Sequence, residues 1–408
     1  MTPTRRALAT TLALTAALAT APTNAIAADT PQHPWYFDTL RVEQMWEHAT
    51  GEGITVAVLD SGVDSSLPEL EGQVLEGTDL TESPEGAHSD ADGHGTHMAS
   101  LISGTGGGQG VRGLAPGVQI LPVRIYDESP DLDQAERWAA SIEYAVDQGA
   151  QIINMSVSGT DSGVVQEVMA EALAVAARSD VLIFAGTGND GDGSNPANYP
   201  ASHPGVIGVA AVDAGGERAA YSTYGPQVSL AAPGKDVPGP CDGRSGPACI
   251  WESGGTSSAT ALASASAALI WSQHPDWTKN QVLRVMLNTA ERPDDQRRDD
   301  YTGYGIVRPD RVVIDGEGDP GDPDSPPIFR DWEAALDPAA TPAPEPEAET
   351  APETDAGAGP APGPEAEAAA TSDDTSPLPW ILGGTAAVLV VAVTGWAVVR
   401  RRSASAGA

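Results

Sequence analysis

The chain has 408 residues, 40% of them hydrophobic, and a formal net charge of −36. That length provides for one large folded unit, or two ordinary ones, plus appendages, and the apolar content is enough for a real core. So negative a chain lacks the basic footprint that nucleic acid requires and would not dock its folded face on anionic lipid.

Residues 1–27 read as a secretory signal peptide. Arg5 and Arg6 supply the charged start, 7–21 the apolar stretch, and Ala25-Ile26-Ala27 the small-residue cleavage site. A short extension, 28–52, carries Trp35, Tyr36 and Trp46. From 53 to 314 apolar segments alternate with amphipathic ones. Segments 54–60, 120–125, 151–155, 181–184 and 206–212 read as buried strands, and 133–148, 164–178 and 278–290 as helices. This alternation predicts an α/β fold whose mainly parallel sheet is covered by helices on both faces. Functional groups in such sheets gather beyond the carboxyl ends of the strands, and Asp60 and Asn189 fall there.

Cys241 and Cys249 are the only cysteines. In a secreted chain they read as a short-loop disulfide, with two unrelated thiols as the alternative. No zinc-ligand spacing occurs. Residues 254–270 are Gly, Ser, Thr, Ala and Leu, ending in Ile270, with almost no polar face, which predicts a buried helix. Ser257 falls at its N-terminus, where free N–H groups and the macrodipole favour developing negative charge. Taken alone, the same residues also suit a Gly-Ser turn capping an ordinary core helix.

Pro, Ala, Glu, Asp and Gly dominate 315–377, a composition unable to bury enough surface to fold. It predicts a disordered linker; an acidic binding tail is the alternative. Residues 378–399 carry no charge, and Arg400, Arg401 and Arg402 follow directly. They predict a single transmembrane helix with residues 400–408 as a cytoplasmic tail and the folded domain outside the cell.

Three segments share one chemistry. Asp60 lies in Leu59-Asp60-Ser61-Gly62, His94 in Gly93-His94-Gly95-Thr96-His97, and Ser257 in Gly255-Thr256-Ser257. Acyl transfer by serine needs a base for the hydroxyl proton, and imidazole suits that task near neutral pH. The imidazole in turn needs a carboxylate to fix its tautomer and stabilise its cation. The order Asp, His, Ser is one of the known arrangements. His97, one turn beyond His94, reads as a packing residue, and His88, Asp90 and Asp92 as a solvated loop in preference to a metal site.

On these motifs, together with Gly188-Asn189, Tyr199-Pro200-Ala201-Ser202 and Ala231-Ala232-Pro233-Gly234, the chain resembles the subtilisin-like serine peptidases from about residue 53 to 313. The resemblance implies Asp60 as orienter, His94 as general base and acid, and Ser257 as nucleophile. It implies Asn189 and the Ser257 N–H as oxyanion donors, and a cis Tyr199–Pro200 bond. Peptide substrate would lie as an extended strand along Ser156, Val157, Ser158 and Gly159, with Gly186 and Thr187 walling a modest, slightly polar pocket. No cofactor is implied; relatives often bind calcium, but no complete ligand set is legible here. Signal peptide, peptidase domain, Pro-rich linker, terminal membrane helix and basic tail together resemble the mycosins, membrane-anchored peptidases associated with type VII secretion. That layout implies protein substrates and secretion components as partners. The rival expectation is an assembly subunit in which proteolysis is secondary.

Overall fold

The computed structural model describes residues 30–126, 134–160, 162–241, 246–252, 254–292 and 297–336. Helices α1 (Trp35–Thr39) and α2 (Val42–Met45) come first. They are followed by β1 (Thr55–Asp60), β2 (Thr78–Asp79), α3 (His94–Ser103), β3 (Gln119–Arg124) and α4 (Gln134–Asp147). The middle holds β4 (Ile152–Met155), β5 (Gly159–Thr160), α5 (Gly163–Arg178), β6 (Leu182–Gly186), β7 (Asn198–Tyr199), β8 (Ile207–Val212) and β9 (Val228–Pro233). A hairpin of β10 (Val237–Pro240) and β11 (Ala248–Trp251) precedes α6 (Thr256–Gln273), α7 (Lys279–Thr289), α8 (Pro309–Val313) and α9 (Arg330–Ala335).

Seven strands form one sheet in the order β2-β3-β1-β4-β6-β8-β9, every neighbour pair parallel. Side chains alternate across its faces with the strand period of two. Val56 and Val58 of β1 join the core containing α3 and α6, whereas Ala57 and Leu59 join the core with Trp138 and Ile142 of α4 and Leu173 of α5. Both faces are thus covered, as the continuous apolar strands require. Parallel pairing also lines up the carboxyl ends of β1, β4 and β6 on one edge.

Helix α6 is buried from Thr256 to Trp271 apart from Ser257. Its small residues let it sit close against β4, β6, β8 and β9. The interior hydroxyls are satisfied at once: Thr260 and Ser266 donate to the carbonyls of Thr256 and Leu262, and Ser264 donates to Asn154 Oδ1.

The predicted strands and helices are present, with ends shifted by up to two residues, or three at the end of α6, which runs on to Gln273. The extension at 28–52 packs on the domain from residue 30 on, with Tyr36, Phe37, Leu40, Val42 and Met45 buried in the main core. One boundary differs more. At the other end, a linker was expected from 315, yet the chain stays on the domain to 336. A few anchors within a Pro- and Asp-rich stretch hold it there. Trp332 packs edge-on against His203 at 5.5 Å, and Glu333 pairs with the buried Lys279. Composition averages over such isolated anchors. The expected disulfide joins Cys241 to Cys249 across the β10–β11 hairpin, and the Tyr199–Pro200 bond is cis. Among the described residues no helix is long and apolar enough to cross a membrane. The signal peptide, the rest of the linker, the expected membrane helix and the tail lie outside the described residues.

Candidate active site

Asp60 is the last residue of β1 and is buried. His94 opens α3, and its Nδ1–H donates to Asp60 Oδ1 at 2.7 Å. That contact depends on close approach of helix to strand. A Cβ at Gly95 would lie 2.2 Å from the Gly62 carbonyl oxygen and 3.0 Å from Asp60 Cβ, so only glycine allows α3 to enter here. Because Nδ1 is committed to the carboxylate, Nε2 is left to exchange protons with a nucleophile.

Burial alone would lower the His94 pKa. The charge of Asp60, the hydrogen bond to it, and the charges of Asp92 and Asp90 outweigh that and hold it at about 9. His97 behaves oppositely. Fully enclosed, it is pushed down to about 4 and stays neutral, donating from Nε2 to the Pro238 carbonyl at 2.8 Å while its ring packs on Trp251. It is a packing residue, as its place on α3 suggested.

Ser257 is the second residue of α6, and its hydroxyl donates to the Ser156 carbonyl at 3.1 Å. In return the Ser156 hydroxyl donates to the Ser257 carbonyl at 3.0 Å. The turn into the helix is made at Gly254, with φ of 52°, where a Cβ would overlap the Gly234 carbonyl. Asn189, in the loop after β6, is clamped by Thr256, whose N–H and hydroxyl both donate to Asn189 Oδ1 at 2.9 and 3.1 Å. Binding the oxygen this way turns the amide nitrogen outward. A carbon placed on Gly255 would lie 3.6 Å from Asn189 Nδ2 and 3.7 Å from the Ser257 backbone nitrogen, so both donors border one small space. Among the described residues neither has an acceptor. Two converging N–H donors at a helix N-terminus are what a tetrahedral oxyanion requires.

A cleft of about 260 Å³ opens beside the Asp60–His94 pair, lined by Asp60, Asp92, His94, Ile125, Tyr126, Trp138 and residues 156–158. Ser158 is exposed and Val157 half-buried there, so this stretch can meet an extended peptide. Gly159 differs, because β5 already pairs antiparallel with β7 through Tyr199. Gly186 lies under Thr256. Thr187 requires a correction: it is fully buried, and its hydroxyl donates to the carbonyls of Thr223 and Val209, so that hydroxyl does not supply a polar pocket wall. Sequence patterns could place Thr187 after a strand but not fix the direction of its side chain. Thr256 was also missed as the clamp on Asn189; its position next to the nucleophile was the available signal.

The sequence profile of the subtilase family matches residues 51–305. The thermostable alkaline protease of Halalkalibacterium halodurans is 34% identical over 63% of this chain and 68% of its own length. Subtilisin NAT of Bacillus subtilis subsp. natto is 34% identical over 59% of this chain; the match spans 61% of that relative, less than two thirds. Among solved structures, the MycP3 protease from the type VII (ESX-3) secretion system superposes with a TM-score of 0.62 at 29% identity, covering 71% of this chain and 90% of that one. MycP1 from Mycobacterium smegmatis gives 0.63 at 25% identity, covering 75% and 89%. With more than half of its length matched by the profile, and the sheet and helices in place, the chain belongs to the subtilase family of serine peptidases.

Proposed function

We propose that this protein is a membrane-anchored, extracytoplasmic serine endopeptidase that cleaves peptide bonds through an acyl-enzyme, mycosin-like and linked to type VII secretion. The observation that carries the peptidase reading is the Asp60–His94 pair together with Asn189 Nδ2 and the Ser257 N–H facing one space. His94 takes the Ser257 hydroxyl proton as the oxygen attacks the substrate carbonyl. Asp60 stabilises the imidazolium so formed, and the two N–H donors stabilise the oxyanion. His94 then protonates the leaving amine, and a water molecule repeats the sequence on the ester. No metal or cofactor enters these steps.

The anchoring and secretion part rests on the apolar run at 378–399, the signal peptide at 1–27 and the likeness to MycP1 and MycP3. One MycP1 structure is described as an essential component of its secretion system, which favours an assembly role as a second reading. A Ser257→Ala chain expressed in place of the native one separates the two. The peptidase reading expects loss of peptide cleavage and of fluorophosphonate labelling, with an altered set of envelope protein fragments. Unchanged secretion and an unchanged fragment set would favour the assembly role, and absence of labelling in the native enzyme would overturn the peptidase reading.

A further inference from the structure

We infer that Asp90 and Ser61 are a positioning pair that reserves Asp60 Oδ1 for the catalytic histidine. The inference rests on the peptidase reading above and adds two residues to its machinery.

The residue that precedes helix α3 at its N-cap is Gly93, which has no side chain with which to cap it. Asp90, three residues earlier, performs that task. Its Oδ1 accepts the Gly93 N–H at 2.8 Å, and its Oδ2 accepts the Thr96 N–H at 2.9 Å and the Thr96 hydroxyl. A carboxylate here satisfies orphan donors of the first turn and complements the helix dipole. The Gly95 N–H is taken by Ser61 Oγ at 2.9 Å, and the Thr96 hydroxyl accepts the Asp64 N–H at 2.9 Å. The first turn of the histidine-bearing helix is therefore bonded to the segment that follows the aspartate-bearing strand.

Ser61 links the two halves. Its hydroxyl has one proton and two carboxylate oxygens within reach, Asp90 Oδ1 at 2.8 Å and Asp60 Oδ1 at 3.3 Å. The shorter contact is the stronger. Asp60 Oδ1 already accepts the Ser61 N–H at 2.8 Å and the His94 Nδ1–H at 2.7 Å. A third donor on that oxygen would draw charge away from His94. Asp90 prevents this by holding the Ser61 proton on itself. The solvated-loop expectation for Asp90 is thus corrected: half-buried, its carboxylate accepts four hydrogen bonds.

The charged and titratable groups facing His94 are Asp60 from β1, Asp90 and Asp92 from the loop before α3, and neutral His97 one turn on. Loss of Asp90 has two separable effects on His94, removal of a nearby charge and release of the Ser61 proton toward Asp60. Asp90→Asn removes the charge but keeps an acceptor, and Asp90→Ala removes both. Adding Ser61→Ala to Asp90→Ala removes the released proton.

The test uses the full chain in detergent, with the His94 pKa read from ring nitrogens by histidine-labelled NMR and with kcat, KM and the pH profile measured in parallel. We expect Asp90→Ala to lower kcat about tenfold or more, as misplacement of a catalytic group does, with KM changed less than about twofold. The His94 pKa should fall, and Ser61→Ala in that background should move it part of the way back. Asp90→Asn should lie between Asp90→Ala and the native enzyme. Equal His94 pKa values in Asp90→Ala and the double variant would overturn the inference. So would a drop in melting temperature with the His94 pKa unmoved in Asp90→Asn as well as Asp90→Ala. Because the NMR titration needs no turnover, an inactive native enzyme would refute the peptidase reading while this inference is still decided.

Discussion

His94 must be neutral to accept a proton, and although burial opposes it, the charges of Asp60, Asp92 and Asp90 hold its pKa above the ordinary histidine value. The sign follows directly: kcat/KM should rise with pH and reach half its plateau well above the ordinary histidine value of about 6.5. The same shift makes protonated His94 a stabilising group. That contribution is full below about pH 6.5 and lost as pH rises through 9, so activity should rise where this part of stability declines. Asp92 lines the cleft and is one of the charges holding the pKa up. Asp92→Asn should therefore move the activity limb toward lower pH, and a pH–rate profile showing no shift would contradict this electrostatic account. Asn189 offers a cleaner measure of transition-state stabilisation, because Thr256 already orients its amide in the free protein. Asn189→Ala is expected to reduce kcat by about 10²–10³ with little change in KM. A change confined to KM would place Asn189 in ground-state binding instead.

The β10–β11 hairpin packs on the histidine-bearing helix α3 and precedes the serine-bearing helix α6 in the chain. Its Pro238 carbonyl accepts a hydrogen bond from His97 Nε2–H, its Trp251 packs on the His97 ring at 4.4 Å, and its chain runs on within six residues to Ser257. A Cβ at Gly239 would meet His97 and Trp251 at 2.8 Å, so the packing there is tight. The Cys241–Cys249 link closes a short loop, worth about 2–3 kcal/mol in chain entropy. Replacing both cysteines by serine should lower unfolding free energy by that amount in denaturant titration while leaving kcat within a few-fold well below the melting temperature. Loss of activity in a fully folded variant would instead make the hairpin part of the catalytic support. This hairpin was not legible in the sequence. Val-Pro-Gly-Pro and Ala-Cys-Ile-Trp are too short, and too rich in Pro and Gly, to display a strand period. The parallel strands were legible because burial on both faces makes each a continuous apolar run. Asp60, His94, Asn189 and Ser257 stood out because each lies at or near a strand end or helix start, within two residues of a glycine. Ser61, Asp90 and Thr256 did not, since their roles depend on side-chain direction, which is set only when α3, β1 and α6 meet.

At the scale of the whole domain, both ends of the described chain are tied onto the α/β core. Arg41, between α1 and α2, bonds to Asp310 at 2.9 Å and to Asp315, joining the N-terminal extension to α8. The segment 316–336 is secured at the start of α7. There the Lys279 ammonium, only 8% exposed, makes two hydrogen bonds of 2.8 and 2.9 Å to Glu333 and one to Asn280. The pair ties this segment to α7, and its energetics can be isolated. A buried pair gains little over an apolar replacement, because desolvation offsets attraction, but removing one partner leaves a buried charge uncompensated. Glu333→Ala should therefore destabilise the domain by up to about 3–5 kcal/mol, the range for such broken pairs. Lys279→Met combined with Glu333→Ala should recover most of that loss, because the ammonium no longer has to be buried alone. Deleting 316–336 altogether should differ from both variants. It uncovers Lys279 to water but also strips Trp332 from His203 and Gly205, so its cost comes from lost packing and the methionine replacement should not repair it. Denaturant unfolding of the three variants separates these contributions. Equal stability of Glu333→Ala and the double variant would show that the ion pair does not hold this end of the chain.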